Sequence, residues 1–265
     1  ALDVDAPAGV GLDNPGAGLS LRSTASGGAQ RLQHLQDVRL SPTGFTWKWW
    51  ADAWASAGMW RSLGNSVIVG LCATALALVL GTMAAFAVQR YRFFGRQTIS
   101  FLVVLPITLP GIVTGIALNA TFTSALGVTL GLATVIVGHA TFCIVIVFNN
   151  IQARLRRLGT SLQDASADLG ASSWQTFAYV TFPMMRGALL AGAILAFALS
   201  FDEIVVTTFT AGPTVQTPPI WIFGNLFRPN QAPVINVVAA TLTIVAVIPV
   251  WLAQRFGGDP AAARV

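Results

Sequence analysis

The sequence predicts an all-α integral membrane protein, and three observations carry that reading. Apolar residues make up 54% of the 265 positions, charged residues only 9%, and mean hydropathy is +0.69. A soluble domain of this size would need far more charge to cover its surface. The apolar residues gather into five runs of membrane-spanning length. Basic residues stand at the ends of those runs and form no patch interleaved with stacking aromatics, so the net charge of +5 does not point to nucleic acid.

Positions 1–44 are rich in Gly, Ala, Ser and Pro, without apolar periodicity and without the charged start and apolar core of a signal peptide. They read as a disordered tail. From Phe45 the stretch FTWKWWADAW, with Trp47, Trp49, Trp50, Trp54 and then Trp60, has the aromatic content of an interfacial helix. The first apolar run covers about 63–88, where Gly64, Gly70 and Gly81 would allow close helix contacts.

The second run, about 99–122, contains Pro106, Pro110 and Gly111 and is expected to be kinked or broken. Freed backbone groups at membrane depth belong inside protein or along a wet cavity, which makes Pro106 and Pro110 candidates for the translocation path. The third run, about 128–148, holds His139, expected to hydrogen-bond a neighbouring helix. The fourth starts after Arg186 and reaches about Phe209, carrying Asp202 and Glu203; the fifth covers about 234–251. Positions 257–265 form a short tail. Cys72 and Cys143 lie inside apolar runs and read as small buried residues, with no disulfide framework, metal motif or cofactor motif.

Arg90, Arg92 and Arg96 follow the first run, and Arg154, Arg156, Arg157 and Arg186 flank the loop after the third. The linker between the second and third runs is uncharged, so the two basic loops are cytoplasmic. The second of these holds the polar interlude 160–183, TSLQDASADLGASSWQTFAYVTFP. It reads as two short helices joined at Gly170, which can take the positive φ that ends a helix. Thr160 with Gln163, and Ser172 with Gln175, have capping-box spacing. Leu162, Ala165, Ser166 and Leu169 share a narrow face; Trp174, Phe177 and Ala178 line the second helix, and Pro183 would stop it. By itself this pattern also fits an ordinary amphipathic hairpin.

The run Asp164-Ala165-Ser166-Ala167-Asp168-Leu169-Gly170-Ala171, with Phe182-Pro183, resembles the EAA loop of ABC importer permeases. Asp164 stands where Glu is usual, Ser166 where the second Ala is usual and Phe182 where Leu is usual. The resemblance implies a cytoplasmic coupling helix, with Asp164, Ala165, Ser166, Asp168, Leu169, Gly170 and Pro183 at its docking site for an ATPase subunit. Gly138-His139-Ala140-Thr141-Phe142-Cys143, Ser200-Phe201-Asp202-Glu203-Ile204-Val205-Val206-Thr207 and Ala211-Gly212-Pro213 are similar to the spermidine/putrescine-type permeases of that family. Related members carry other small nitrogenous solutes.

This likeness covers roughly 45–256, a homology judgement. It implies the type I ABC importer permease bundle, usually six helices, in a bacterial inner membrane. The implied partners are ATP-binding cassette ATPases, a second permease subunit and an external solute-binding protein. The chain has no G-x-x-x-x-G-K-[ST] loop, so ATP hydrolysis falls to the ATPase partner and the chain is expected to be no enzyme. A secondary transporter or channel is the alternative, which Asp202, Glu203 and His139 allow but which leaves the hairpin without a purpose.

Asp202 and Glu203 are the only acidic residues in any run, and a carboxylate at membrane depth faces a cavity or a partner. Adjacent helical residues point about 100° apart, so Asp202 is assigned to the path and Glu203 to a neighbouring helix. A polar helix end reaching outer water is the competing reading. The family pattern expects one more helix before Phe45, and the preceding stretch supplies none. A truncated or mis-assigned start is therefore expected, with loss of that helix as the alternative.

Overall fold

The structure, a computed structural model, describes residues 46–91, 94–159, 161–228 and 231–257. The expectations for the tails at 1–44 and 258–265, and the cap assigned to Thr160, fall outside those residues. The part from Lys48 onward forms one compact helical unit.

The aromatic stretch folds as α1, Lys48–Trp54, a single short helix. Ser56 then accepts the Met59 N–H with its hydroxyl and starts α2, Ala57–Arg90. Trp60 donates its indole N–H to the Trp54 carbonyl at 2.8 Å, and the two rings meet edge to face, so the entry angle of α2 is held by aromatic contacts. Ala53 and Met59 pack with Trp221, Val234 and Val238.

The second apolar run is broken. It forms α3, Arg96–Thr108, and α4, Gly111–Ala120, bent by 106° at Leu109-Pro110. Pro110 has no N–H to continue the ladder, and Pro106 lies inside α3. A π-helical turn, Thr121–Ala125, extends α4.

The third run becomes α5, Leu132–Leu158, which continues past Asn149-Asn150 as a basic extension and ends at Gly159. The hairpin follows as α6, Ser161–Asp168, and α7, Ser173–Thr176, and leads through a π-helical turn, Phe177–Thr181, into α8, Phe182–Phe201. Here Pro183 does not stop the helix. The wider turn pairs the Phe182 N–H with the Phe177 carbonyl five residues back, so a residue without an N–H is carried near the start of α8, and Ser173–Phe201 is one apolar helix.

The fourth run also differs from expectation. It is not one helix to Phe209 but ends at Phe201, and α9, Val205–Thr210, begins after a break at Asp202–Ile204. After a loop come α10, Pro218–Asn225, and α11, Ala232–Gly257. Among the described residues three helices are long and apolar enough to cross a membrane, and the bent α3–α4 pair passes the same test of length and composition only when its two parts are taken together. The fifth run is helical, but its described apolar part, Ala232–Val245, is shorter than a span.

The core is a three-helix bundle of α2, α5 and α8. In a bilayer the lipid is as apolar as the side chains, so close van der Waals packing rather than water exclusion holds such helices together. Accordingly α2 buries a stripe of small residues, Ser62, Ser66, Ala73, Ala77, Gly81 and Ala85. A Cβ on Gly81 would lie 3.0 Å from the Ile144 carbonyl, and one on Gly70 would lie 2.8 Å from the Phe197 ring. Gly64 has no neighbour within 4 Å and takes no part in the contact. Cys143 is buried as expected, but Cys72 is exposed on the outer surface of α2.

Candidate functional site

Two polar interruptions carry the candidate residues: the hairpin and the break at Asp202–Ile204. In the hairpin, Gly170 has φ 81°, the left-handed conformation that a side chain resists. The Ala171 N–H reaches the Ser166 carbonyl at 3.0 Å and the Gly170 N–H reaches Ala167 at 2.9 Å, which terminates α6 with its last carbonyls satisfied. Ser172 and Gln175 make the predicted capping box, with the Ser172 N–H donating to Gln175 Oε1 at 2.7 Å and the Gln175 N–H to Ser172 Oγ at 3.3 Å.

The predicted face of α6 divides in two. Ser166 turns inward and bonds Thr176 Oγ1 at 2.8 Å, closing α6 onto α7. Leu162, Ala165 and Leu169 point away from the bundle with Asp164, Asp168, Gly170 and Pro183, all exposed. Leu169 is 89% accessible, and Trp174 and Tyr179 on the following helix are 73% and 80% accessible. Among the described residues these side chains stay exposed, Leu169 at the end of α6 and Trp174 and Tyr179 at the start of Ser173–Phe201. Gln163 has two partners among the described residues. Its Oε1 accepts from Arg90 Nη1 at 2.9 Å and its Nε2 donates to Thr181 Oγ1 at 3.4 Å, tying the hairpin to the end of α2. Asp164 borders a cavity of 340 Å³ beneath the hairpin, beside Arg90 and Arg156.

At the second break, Asp202 and Glu203 are not successive residues of one helix. The Asp202 N–H closes α8 on the Ala198 carbonyl, and its side chain is exposed. Glu203 is half-buried, and its Oε1 accepts the Val206 N–H at 2.9 Å, capping α9. A carboxylate just before a helix start satisfies a free donor and meets the positive end of the helix dipole, which favours a new helix beginning here. The helical-wheel argument for separating the two residues therefore fails, although only Asp202 is left with its carboxylate unengaged by a neighbouring N–H.

The two broken spans meet. A Cβ on Gly111 would lie 3.4 Å from Val205, and one on Gly115 would lie 2.6 Å from the Phe209 ring. Both contacts advance by four residues, so α4 and α9 run parallel with their starts side by side. Asn119 Nδ2 seals the pair by donating to the Phe209 carbonyl at 2.6 Å. Pro110 thus stands at the same junction as Asp202 and Glu203. Pro106 does not; it lines a separate cavity of 240 Å³ in the elbow of α3 and α4.

His139, fully buried, bonds Ser200 Oγ through Nδ1 and Thr207 Oγ1 through Nε2, both at 2.8 Å. The expectation of a hydrogen bond to a neighbouring helix is met on both ring nitrogens. Sequence reasoning did not find these two partners, nor the link between Arg90 and Gln163. The available signal was the seven-residue spacing of the two hydroxyl residues Ser200 and Thr207 on either side of Asp202-Glu203.

Residues 77–256 match the family of binding-protein-dependent transport system inner membrane components. Among similar proteins, the putrescine transport system permease protein PotI of Escherichia coli (strain K12) is 34% identical over 205 residues, 75% of this chain and 73% of its own. The spermidine/putrescine transport system permease protein PotC of Haemophilus influenzae is 30% identical over 81% of this chain and 83% of its own. In fold, the chain is similar to a subunit of a bacterial ABC transporter that imports alginate, with TM-score 0.65 and 15% identity over 81% of each chain. It is also similar to a chain of the methionine ABC transporter MetNI in its inward-facing form, with TM-score 0.61 and 18% identity over 76% of this chain and 93% of that one. The chain belongs to the family of binding-protein-dependent transport system inner membrane components, and is an all-α transport subunit of the inner membrane rather than an enzyme.

Proposed function

We propose that this chain is the permease subunit of an ATP-driven importer for polyamines of the spermidine/putrescine type. Its partners are separate ATPase subunits, a second permease subunit and an external solute-binding protein. The identity to PotI and PotC over most of the chain supports the cargo class. The observation that carries the mechanism is the hairpin. Leu162, Leu169 and Trp174 are exposed, and Ser173–Phe201 continues without a stop to the acidic break.

The mechanical consequence follows from helix stiffness. An apolar, small-residue docking surface at one end of a continuous helix turns a displacement of the ATPase pair into a displacement at Phe201, about 42 Å away at roughly 1.5 Å per residue. Closure of the ATPases on ATP would rock α8 and open the path outward at the junction of α4 and α9. There Asp202, the exposed carboxylate, attracts the ammonium groups of the solute by charge.

The cargo is tested by uptake of labelled putrescine and spermidine into proteoliposomes containing the complete complex, with Asp202→Asn and Glu203→Gln variants at matched membrane levels. Saturable, ATP-dependent uptake weakened most by Asp202→Asn is expected. Absence of polyamine uptake by the unaltered complex would overturn the cargo assignment. Unchanged affinity and rate in both variants would remove the acidic pair from the path.

A further inference from the structure

We propose that His139 is a positioning residue of the transport cycle, a clamp that makes the helices on either side of the Asp202–Ile204 break move as one body. Across that break the helical ladder is interrupted. The last bond of α8, from the Asp202 N–H to Ala198, is long at 3.4 Å, and the ladder resumes with the Thr208 N–H on Ile204 at 2.9 Å. Beyond the break, α9 is held by elements other than α8: Thr134 Oγ1 donates to the Thr210 carbonyl at 2.7 Å and Asn119 to Phe209 at 2.6 Å. Without a further tie, a push delivered through α8 would be absorbed by the three-residue joint.

The imidazole supplies that tie. Ser200 lies in the last turn of α8 and Thr207 near the start of α9, and the ring on α5 bonds both at 2.8 Å. The Thr207 hydroxyl donates to the Glu203 carbonyl at 2.8 Å, so it has a lone pair rather than a proton for the ring. Nε2 therefore carries the ring proton and donates to Thr207, while Nδ1 accepts from the Ser200 hydroxyl. Ser200, His139, Thr207 and Glu203 form one directional chain of hydrogen bonds from the end of α8 to the backbone of the acidic joint. The two ring contacts are in series, so loss of either breaks this hydrogen-bonded tie between α8 and α9.

This rests on the reading that the hairpin drives α8. The test uses the complete complex in proteoliposomes and reads ATP hydrolysed per polyamine imported, at equal amounts of assembled complex. Ser200→Ala and Thr207→Val remove one hydroxyl each with little change of shape. Each is expected to raise the ratio by at least about fivefold, the low end of couplings between distant sites. The double variant should be no worse than either single one, because a series link breaks once. His139→Gln, which keeps one donor and one acceptor, should restore part of the coupling that His139→Leu loses. Additive effects of the two single variants would overturn the clamp. So would a parallel fall of transport and hydrolysis with an unchanged ratio, because that is what a merely structural contact produces. Failure of the unaltered complex to couple hydrolysis to uptake would instead count against the driving hairpin.

Discussion

The hairpin and the break at Asp202–Ile204 are both polar interruptions in apolar helix, yet they treat their side chains in opposite ways. At the break, His139, Ser200, Thr207 and Glu203 bond one another or adjacent backbone, and His139, Ser200 and Thr207 are buried. Among the described residues of the hairpin the internal side-chain bonds involve Gln163, Ser166 and the Ser172–Gln175 cap, while Leu169, Trp174 and Tyr179 are left accessible. An exposed leucine and tryptophan beside a tight glycine turn suit a surface completed by another protein. A polar cluster satisfied within its own chain suits a mechanical joint. Hydropathy alone does not tell these apart; the direction of the side chains does.

The sharpest way to break this contrast is Gly170→Arg. Gly170 needs φ 81°, and nothing lies within 4 Å of a Cβ placed there, so the long side chain would project from the hairpin turn into open space. The variant should insert in the membrane normally and lose solute-stimulated ATP hydrolysis altogether, measured on the purified complex. Next in size, Trp174→Ala or Leu169→Asp should weaken capture of the ATPase by about 2 kcal/mol, close to thirtyfold, as for an interface anchor. Titration of detergent-solubilised permease with the ATPase reads this directly, and thermal stability of the permease alone should not change.

At the break a smaller effect is expected and a different measurement moves. Asp202→Asn should raise the half-saturating polyamine concentration about tenfold, the size of one charge-assisted contact. Glu203→Gln should change it less, because the amide oxygen still accepts the Val206 N–H. The smallest effect belongs to Ser172→Ala, which removes one cap bond from α7 and should cost about 1 kcal/mol of local stability. Hydrogen exchange would show it as faster protection loss in the hairpin alone.

Much of the fold was legible because proline and glycine act locally. Pro110 predicted the broken span and Gly170 the hairpin turn, each from a property of the residue itself. The end of α8 was not legible in the same way. Asp202 and Glu203 were read as residues of a helix, because hydropathy does not show that the Glu203 carboxylate competes with the helical ladder for the Val206 N–H three residues on. Pro183 misled for the converse reason. A proline normally stops a helix, but a π-helical turn placed just before it lets the helix pass. The small-residue stripe of α2 was visible at Gly70 and Gly81 but not at Gly64, since only packing decides which glycines meet a neighbour.

The central claim is that the exposed side of the hairpin is the ATPase docking surface and that movement enters the bundle there. Photo-crosslinking tests it most directly, with a benzophenone amino acid placed singly at Leu169, Trp174, Gln163 and Tyr91 in the assembled complex. Leu169 and Trp174 are exposed on the hairpin, Gln163 is held inward by Arg90 and Thr181, and Tyr91 is exposed just after α2. The account predicts strong crosslinks to the ATPase from Leu169 and Trp174 and weak or absent ones from Gln163 and Tyr91. Equal crosslinking from Gln163, or none from Leu169 in a complex that still hydrolyses ATP on solute addition, would contradict it.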